Sequence, residues 1–88
     1  MPEISRFYGI IITMYYEFGY HQLPHFHARF GEYKASFTIM PPTMLAGAMP
    51  RKQQRLILAW AEIHGEELLE NWQRIEQEQP LDKIDGLS

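Results

Sequence analysis

Cysteine is absent from the 88-residue sequence, so no disulfide can hold the fold together. A chain of this length folds as one small domain with a single core. Hydrophobic residues make up 45% of it, which is enough for a core and argues against a disordered protein. A small domain without cross-links is typical of a reducing compartment, and the sequence therefore predicts a cytoplasmic protein.

Long apolar runs are also lacking. The longest, GIIITMYY at residues 9–16, is far shorter than the roughly 20 residues that a membrane-spanning helix needs. The N-terminus carries acidic Glu3 before any apolar run, which is not the pattern of a secretory signal. These features predict a soluble protein without a membrane partner.

Basic residues are scarce in the last third of the chain. Residues 62–88 contain two basic and eight acidic side chains, whereas residues 1–61 contain six basic and three acidic ones. The formal net charge of −3 therefore combines a basic first part with an acidic second part. This distribution is typical of a solvated acidic helix, or of a protein with a basic and an acidic surface that can bind a charged partner.

The first half of the sequence predicts strands. The segment ISRFYGIIITMYYEF (4–18) is rich in the residue types that favour sheets, and both of its alternating faces are largely apolar, as in a central strand. Gly9 indicates a bulge or bend within it.

Residues 25–39 alternate between apolar and polar, with a two-residue hairpin turn at Gly31 and Glu32. This turn fixes a register in which 25 pairs with 38, 27 with 36 and 29 with 34. The inner pairs are then Phe30/Tyr33, Ala28/Ala35 and Phe26/Phe37, and the outer pairs are Arg29/Lys34, His27/Ser36 and His25/Thr38.

The second half predicts one long helix. Residues 40–50 read as a connector or a short return strand, in which two adjacent prolines exclude a central strand. Apolar residues then recur at helical spacing from Pro50 onward, among them Trp60, His64 and Trp72. A continuous helix over 51–78 would be about 42 Å long, whereas a domain of this size has a diameter of roughly 30 Å. It either bends at Gly65 or extends to pack on another chain, and we favour the continuous helix.

Together these patterns predict an α+β fold, with an antiparallel sheet of three or four strands packed on one long C-terminal helix. Residues 1–79 would form the domain and residues 80–88 a loose tail.

The outer hairpin face suggests three kinds of site. His25 and His27 beside Arg29 and Lys34 resemble an acid–base pair next to a phosphate clamp, as in a metal-independent ribonuclease. Alternatively, the like-charged Arg29/Lys34 pair is relieved when an anion, either RNA phosphate or an acidic protein, lies over it. We therefore name His25 and His27 as candidate catalytic residues. The candidate binding residues are Arg29, Lys34, Ser36, Thr38 and Arg6.

The third kind of site is a metal site, in which His21 and His64 could join the hairpin histidines. His64 lies on the stripe that faces the inner side of the sheet, whereas His25 and His27 point outward. The nearby cations and the absence of cysteine also disfavour an ion, so we predict no metal and no cofactor.

Three segments resemble a known family. They are MPEISRFYGIIITMYY, HQLPHFHARFGEYKASFTI and LAGAMPRKQQRLILAWAEIHGEELLENW, which together cover nearly all of residues 1–75. They are similar to the small prokaryotic proteins grouped as domain of unknown function 4160. The resemblance implies no established activity. Members are often encoded beside proteins of another uncharacterised family, domain of unknown function 2442, an arrangement similar to toxin–antitoxin pairs.

We therefore expect a small cytoplasmic component of a two-gene, toxin–antitoxin-like module. It would act by protein–protein contact, with a partner encoded nearby or with further copies of itself, and RNA is a further possible ligand. The ribonuclease and the histidine-based metal-binding protein are the alternatives.

Overall fold

Five strands precede two helices in the computed structural model, which describes residues 3–16 and 23–88. The strands are β1 (Glu3–Phe7), β2 (Ile10–Thr13), β3 (His25–Phe30), β4 (Tyr33–Thr38) and β5 (Met44–Gly47). The helices are α1 (Arg51–Ile63) and α2 (Gly65–Glu76). The strands form one antiparallel sheet in the order β1-β2-β3-β4-β5, so each strand pairs with its neighbours in sequence. The α+β class and the antiparallel sheet are confirmed.

The prediction of three or four strands was wrong, since the sheet has five. The first predicted strand is a hairpin, in which Phe7 pairs with Ile10 around a turn at Tyr8 and Gly9. Both turn residues have positive φ, 49° and 78°, the backbone form that matches the twist of a two-residue hairpin. The short return strand allowed for residues 40–50 is β5, which begins two residues after the prolines and lies at the edge of the sheet, where they interrupt no ladder.

The predicted register of the β3–β4 hairpin is confirmed at all six pairs, from His25 opposite Thr38 to Phe30 opposite Tyr33. Gly31 has a φ of 57°, as the two-residue turn requires. The predicted inner face differs at the hairpin tip. Tyr33 is 46% exposed and Phe30 only half-buried, so the tip extends beyond the core.

The prediction of one long helix was also wrong. The helix is interrupted at His64, whose φ of −106° and ψ of 24° are not helical, and Gly65 begins α2. A Cβ atom at Gly65 would lie 3.1 Å from the Met40 Cε atom, so the glycine lets the β4–β5 connector pack against the break. The molecule measures 34 × 26 × 23 Å, and no helix overhangs it. Within the described residues, no helix is both long and apolar enough to cross a membrane.

The core lies between one face of the sheet and the two helices. Trp60 is fully buried and packs edge-on against Phe26, which itself stacks on Phe37. The inner face of the hairpin thus meets the predicted helical stripe. Burial of these large apolar side chains is the main favourable term in the stability of the fold.

The C-terminal segment, residues 80–88, packs against the domain, where the sequence predicts a loose tail. Ile84 is buried at 5% exposure, and its N–H group donates a 2.7 Å hydrogen bond to the Ile4 carbonyl oxygen of β1. The Trp60 indole N–H donates to the Asp85 carbonyl oxygen at 2.7 Å. The side-chain amide of Asn71 bonds both the N–H and the carbonyl oxygen of Asp82. The hydrogen bonds are made by backbone groups of the segment. Such groups produce no periodic pattern of apolar residues, so the packing could not be predicted from the sequence.

Candidate functional site

One face of the sheet is turned away from the helices, and we call it the outer face. Cross-strand pairs point to the same side of a sheet, so the ladders define its rows. The first row runs across four strands and contains Arg6, Ile11, Arg29 and Lys34. The next row contains Glu3, Thr13, His27 and Ser36. Sequence alternation predicted the β3 and β4 members of both rows.

A groove with a volume of about 340 Å³ lies on this face and is open to solvent. The residues that line it come from four neighbouring strands and from the segment that follows β2: Glu3, Ile11, Thr13, Tyr15, His27, Ala28, Arg29, Lys34 and Ala35. Six of these were absent from the predicted site: Glu3, Ile11, Thr13, Tyr15, Ala28 and Ala35. The alternation of Ile11, Thr13 and Tyr15 was visible in the sequence, but the β2–β3 pairing that brings them beside His27 was not.

Arg29 and Lys34 lie directly opposite one another in the groove, and both are exposed. Within residues 3–16 and 23–88, neither forms an ion pair. Two like charges on facing residues of an antiparallel pair repel one another. The groove therefore holds a pair of cations whose mutual repulsion a bound anion would relieve.

Arg6 lies in the same row but already has a partner. Its guanidinium donates hydrogen bonds of 2.8 and 3.1 Å to the two carboxylate oxygens of Glu3. A bulge in β1, between Glu3 and Ser5, places these residues on the same face although they are three apart in sequence. The hydrogen bonds from Arg6 lower the pKa of the Glu3 carboxyl, and the positive charges of Arg6, Lys83 and Arg29 lower it further. Glu3 thus stays ionised at the border of the groove.

His25 occupies the predicted register position but is not a solvent-facing acid or base. It is only 8% exposed, and its ring lies 5.1 Å from the ring of Trp72 on α2. Its Nδ1 atom is 2.7 Å from the Leu23 carbonyl oxygen. Because a carbonyl oxygen only accepts hydrogen bonds, Nδ1 carries the proton and donates it. His25 therefore joins the start of β3 to α2.

His27 is half-buried in the groove. Its ring stacks nearly parallel to the ring of Tyr15, with centroids 4.4 Å apart and an interplanar angle of 11°. The ring of His25 contacts it edge-on, with centroids 5.1 Å apart. The two histidines thus lie side by side with their rings in contact. Tyr15 and His27 form one wall of the groove.

The two predicted hydroxyl residues have different surroundings. Ser36 lies opposite His27 and is half-buried on the outer face. The Thr38 hydroxyl group donates to the Pro41 carbonyl oxygen at 2.6 Å and accepts from the Thr43 N–H group at 3.0 Å. Thr38 therefore holds the β4–β5 connector, and its hydroxyl hydrogen is already used.

His64 lies on the helical side of the molecule, as predicted. Its Nδ1 atom is 2.6 Å from a carboxylate oxygen of Glu67, and its ring packs 5.7 Å from that of Trp60. His21 lies outside the described residues. Among the described ones, no three histidine or acidic side chains are close enough together to hold a metal ion. The site is therefore a cationic groove with an aromatic wall, suited to binding an anionic group.

The comparison with protein families agrees with the resemblance seen in the sequence. Neither curated proteins nor solved structures include a match to this chain. A family model matches residues 9–73, which contain β2 to β5, α1 and most of α2. Because this match spans well over half of the chain, the protein belongs to the family described as a domain of unknown function, DUF4160.

Proposed function

We propose that this protein is a small binding module whose groove receives an acidic segment of a partner protein. The partner would be encoded by the adjacent gene, in a two-gene module similar to a toxin–antitoxin pair. The observation that carries the proposal is the exposed Arg29/Lys34 pair, which has no ion-pair partner among the described residues.

The energetics of that pair support an anionic ligand. Like charges on facing strand residues destabilise a hairpin, and a carboxylate placed between them replaces the repulsion by two attractions. Binding of an acidic segment to the groove would therefore also stabilise the β3–β4 hairpin.

A protein partner fits the groove better than RNA does. Single-stranded nucleic acid is bound by exposed aromatic faces and by a strongly basic surface. Here the ring of Tyr15 stacks on His27, and the formal net charge of the chain is −3.

The geometry does not favour the ribonuclease alternative. A general acid and a general base must lie on either side of the reacting phosphate. The rings of His25 and His27 contact one another, and His25 is buried against Trp72. No phosphate group can lie between them in this arrangement.

The test is co-expression with the protein of the adjacent gene, followed by calorimetric titration of the two purified proteins. We expect a complex whose affinity falls about tenfold or more in the double variant Arg29→Gln/Lys34→Gln, since each lost charge contact contributes about 1 kcal/mol and 1.4 kcal/mol corresponds to a factor of ten. Affinity should also fall as salt is added.

The matched control is Arg51→Gln/Lys52→Gln, which removes the same charge from an exposed position at the start of α1. This variant should bind as the wild type does. An equal loss of affinity in both double variants would show that only net charge matters. Failure of the adjacent gene's protein to bind would refute the proposal, and so would binding of single-stranded RNA that depends on Arg29 and Lys34.

A further inference from the structure

One side of α1 is turned away from the sheet, and its exposed stripe carries both charges and an apolar side chain. The buried residues of the helix lie on the opposite side, toward the core. The stripe, which we call the helix face, consists of Arg55, Ala59, Glu62 and Ile63, all of them exposed. Because a helix turns about 100° per residue, Ala59 lies at the centre of this stripe. Its small side chain allows another helix to approach closely.

The charges of the helix face have no partner within α1. Helical neighbours lie three and four residues apart, and around Arg55 these positions hold the cations Arg51 and Lys52 and no acidic residue. Around Glu62 they hold Glu66 and no basic residue. Neither Arg55 nor Glu62 forms an ion pair with any part of the chain that the structure describes. Like charges at these spacings destabilise a helix, so both ends of the stripe lack a charge of the opposite sign.

An apolar cleft of about 560 Å³ borders the helix face near the start of α1. Its apolar lining consists of Tyr8, Phe30, Leu56 and Leu87. Leu56 and Ile63 are seven residues apart, so they lie on the same side of Ala59, at about 40–60° from it. Arg55 and Glu62 lie at similar angles on the other side. The apolar side of the stripe thus has a cleft at one end and Ile63, which is 67% exposed, at the other.

We propose that α1 pairs antiparallel with α1 of a second copy of this chain, across a twofold axis that passes beside Ala59. Such an axis is perpendicular to the helix and lies in the plane of the interface. Each side of the stripe therefore faces the same side of the partner's stripe, with the order of residues reversed. Arg55 then lies within about 1.5 Å of the height of the partner's Glu62, and Leu56 within about 1.5 Å of the height of the partner's Ile63.

This pairing gives every element of the helix face a matching contact. The charges of Arg55 and Glu62, which are unpaired in the monomer, form two equivalent ion pairs in the dimer. Each Ile63 side chain enters the cleft beside the partner's Leu56, so an exposed apolar residue is buried against an apolar lining. Ala59 lies against its own copy at the axis. The helix face is therefore complementary to itself in both charge and shape, as a closed twofold interface requires.

The interface is small, since it is built around one helix of 13 residues. Small interfaces of this kind are weak, so we expect a dissociation constant on the order of 100 µM. The outer face of the sheet lies on the other side of the molecule and remains exposed in the dimer. The groove with Arg29 and Lys34 takes no part in the pairing, and the dimer is therefore independent of the proposed function.

Sedimentation equilibrium of the full chain at micromolar to millimolar concentrations tests the proposal. We expect the wild type to approach twice its monomer mass of 10.4 kDa at the highest concentration and to dissociate on dilution. Arg55→Glu and Glu62→Arg should each weaken the dimer at least tenfold, because two like-charged contacts replace the two ion pairs. The double variant Arg55→Glu/Glu62→Arg exchanges the two charges and should recover the wild-type dimer.

The matched control is Glu76→Arg, which reverses an exposed charge at the end of α2, away from the helix face. This variant should dimerise as the wild type does. Ile63→Ala should weaken the dimer about tenfold, because the cleft then receives less apolar surface. In dilute solution, where the chain is monomeric, all of these variants should keep the wild-type melting temperature, since the replaced side chains are exposed.

Several results would overturn the proposal. The first is a wild type that is monomeric at every concentration, and the second is a dimer that both single charge reversals leave intact. A double variant that folds but stays monomeric would show that Arg55 does not meet the partner's Glu62. A dimer unchanged by Ile63→Ala, or one lost in Glu76→Arg, would place the interface elsewhere on the molecule.

Discussion

The two edge strands of this sheet are stabilised in different ways. β1 is covered by the C-terminal segment, whose Ile84 enters the core and donates one backbone hydrogen bond to Ile4 of β1. β5 contributes no buried side chain and is held by the hydrogen bonds of Thr38 and by the close approach of Gly47 to β4. The β1 edge is thus covered through apolar burial, whereas the β5 edge is held in position by its backbone and remains exposed.

This difference shows that an exposed strand can be as well defined as a covered one. Burial stabilises β1, and the hydrogen bond from Ile84 pairs one of its edge carbonyl groups. The polar and steric constraints on β5 fix its shape and leave its outer groups accessible. A strand held in this way is suited to binding, because little conformational entropy is lost when a partner pairs with it.

The largest loss of stability should come from Gly47→Ala. The new Cβ atom would lie 2.2 Å from the Lys34 carbonyl oxygen, and the φ of 94° is unfavourable for any residue with a side chain. Overpacking costs about 1–3 kcal/mol, and left-handed backbone costs about 1–2 kcal/mol. We expect a loss of about 3 kcal/mol in the free energy of unfolding, measured by urea denaturation.

Gly31→Ala is the matched control for this change. Gly31 also has positive φ, but a Cβ atom there would meet no atom within 4 Å. Only the cost of the left-handed backbone should remain, which lowers the free energy of unfolding by about 1 kcal/mol. Equal losses in the two variants would show that the close contact with β4 does not hold β5.

The next largest effect should come from Ile84→Ala, which removes the apolar anchor of the β1 cover. Truncation of a buried isoleucine costs about 2–5 kcal/mol, and we expect about 2 kcal/mol because a chain end can close part of the cavity. Unfolding in urea measures the loss, and limited proteolysis should show earlier cleavage within residues 80–88. Ile63→Ala, the same change at an exposed site, should alter neither measurement. Stability unchanged in Ile84→Ala would mean that the segment does not cover β1 in solution.

A feature of this fold could be predicted when the residues that encode it lie close together in the sequence. The β3–β4 register could be predicted because two alternating runs flank a two-residue turn, and each run independently defines the same inner face. The β1–β2 hairpin was missed because Ile, Tyr and Phe continue through its turn, which hides Tyr8 and Gly9 within an apolar run. The helix was predicted too long, since the apolar stripe passes through the break at His64 without interruption.

Features that depend on distant contacts were not predictable. The burial of His25 results from Trp72, a residue 47 positions later in the chain that packs on its ring. The groove needs the pairing of β2 with β3, which no turn encodes locally. The sequence therefore identified the cations of the site, Arg29 and Lys34, but not the wall and border that enclose them.

The smallest effect should come from the Glu3–Arg6 ion pair at the exposed end of β1. Arg6 lowers the pKa of the Glu3 carboxyl in the folded state, so the ionised form stabilises the fold above the unfolded pKa of about 4.3. This contribution is lost as the pH falls through the lower folded-state pKa.

Glu3→Gln should therefore lose slightly less stability than the wild type between neutral and strongly acidic pH, as measured by melting temperature. Arg6→Gln should flatten the acid profile less than Glu3→Gln does, because Lys83 and Arg29 still lower the pKa of the Glu3 carboxyl, and high salt should reduce the difference. If either variant instead lowered the melting temperature as much as Ile84→Ala, the ion pair rather than the C-terminal segment would be the principal support of the β1 edge.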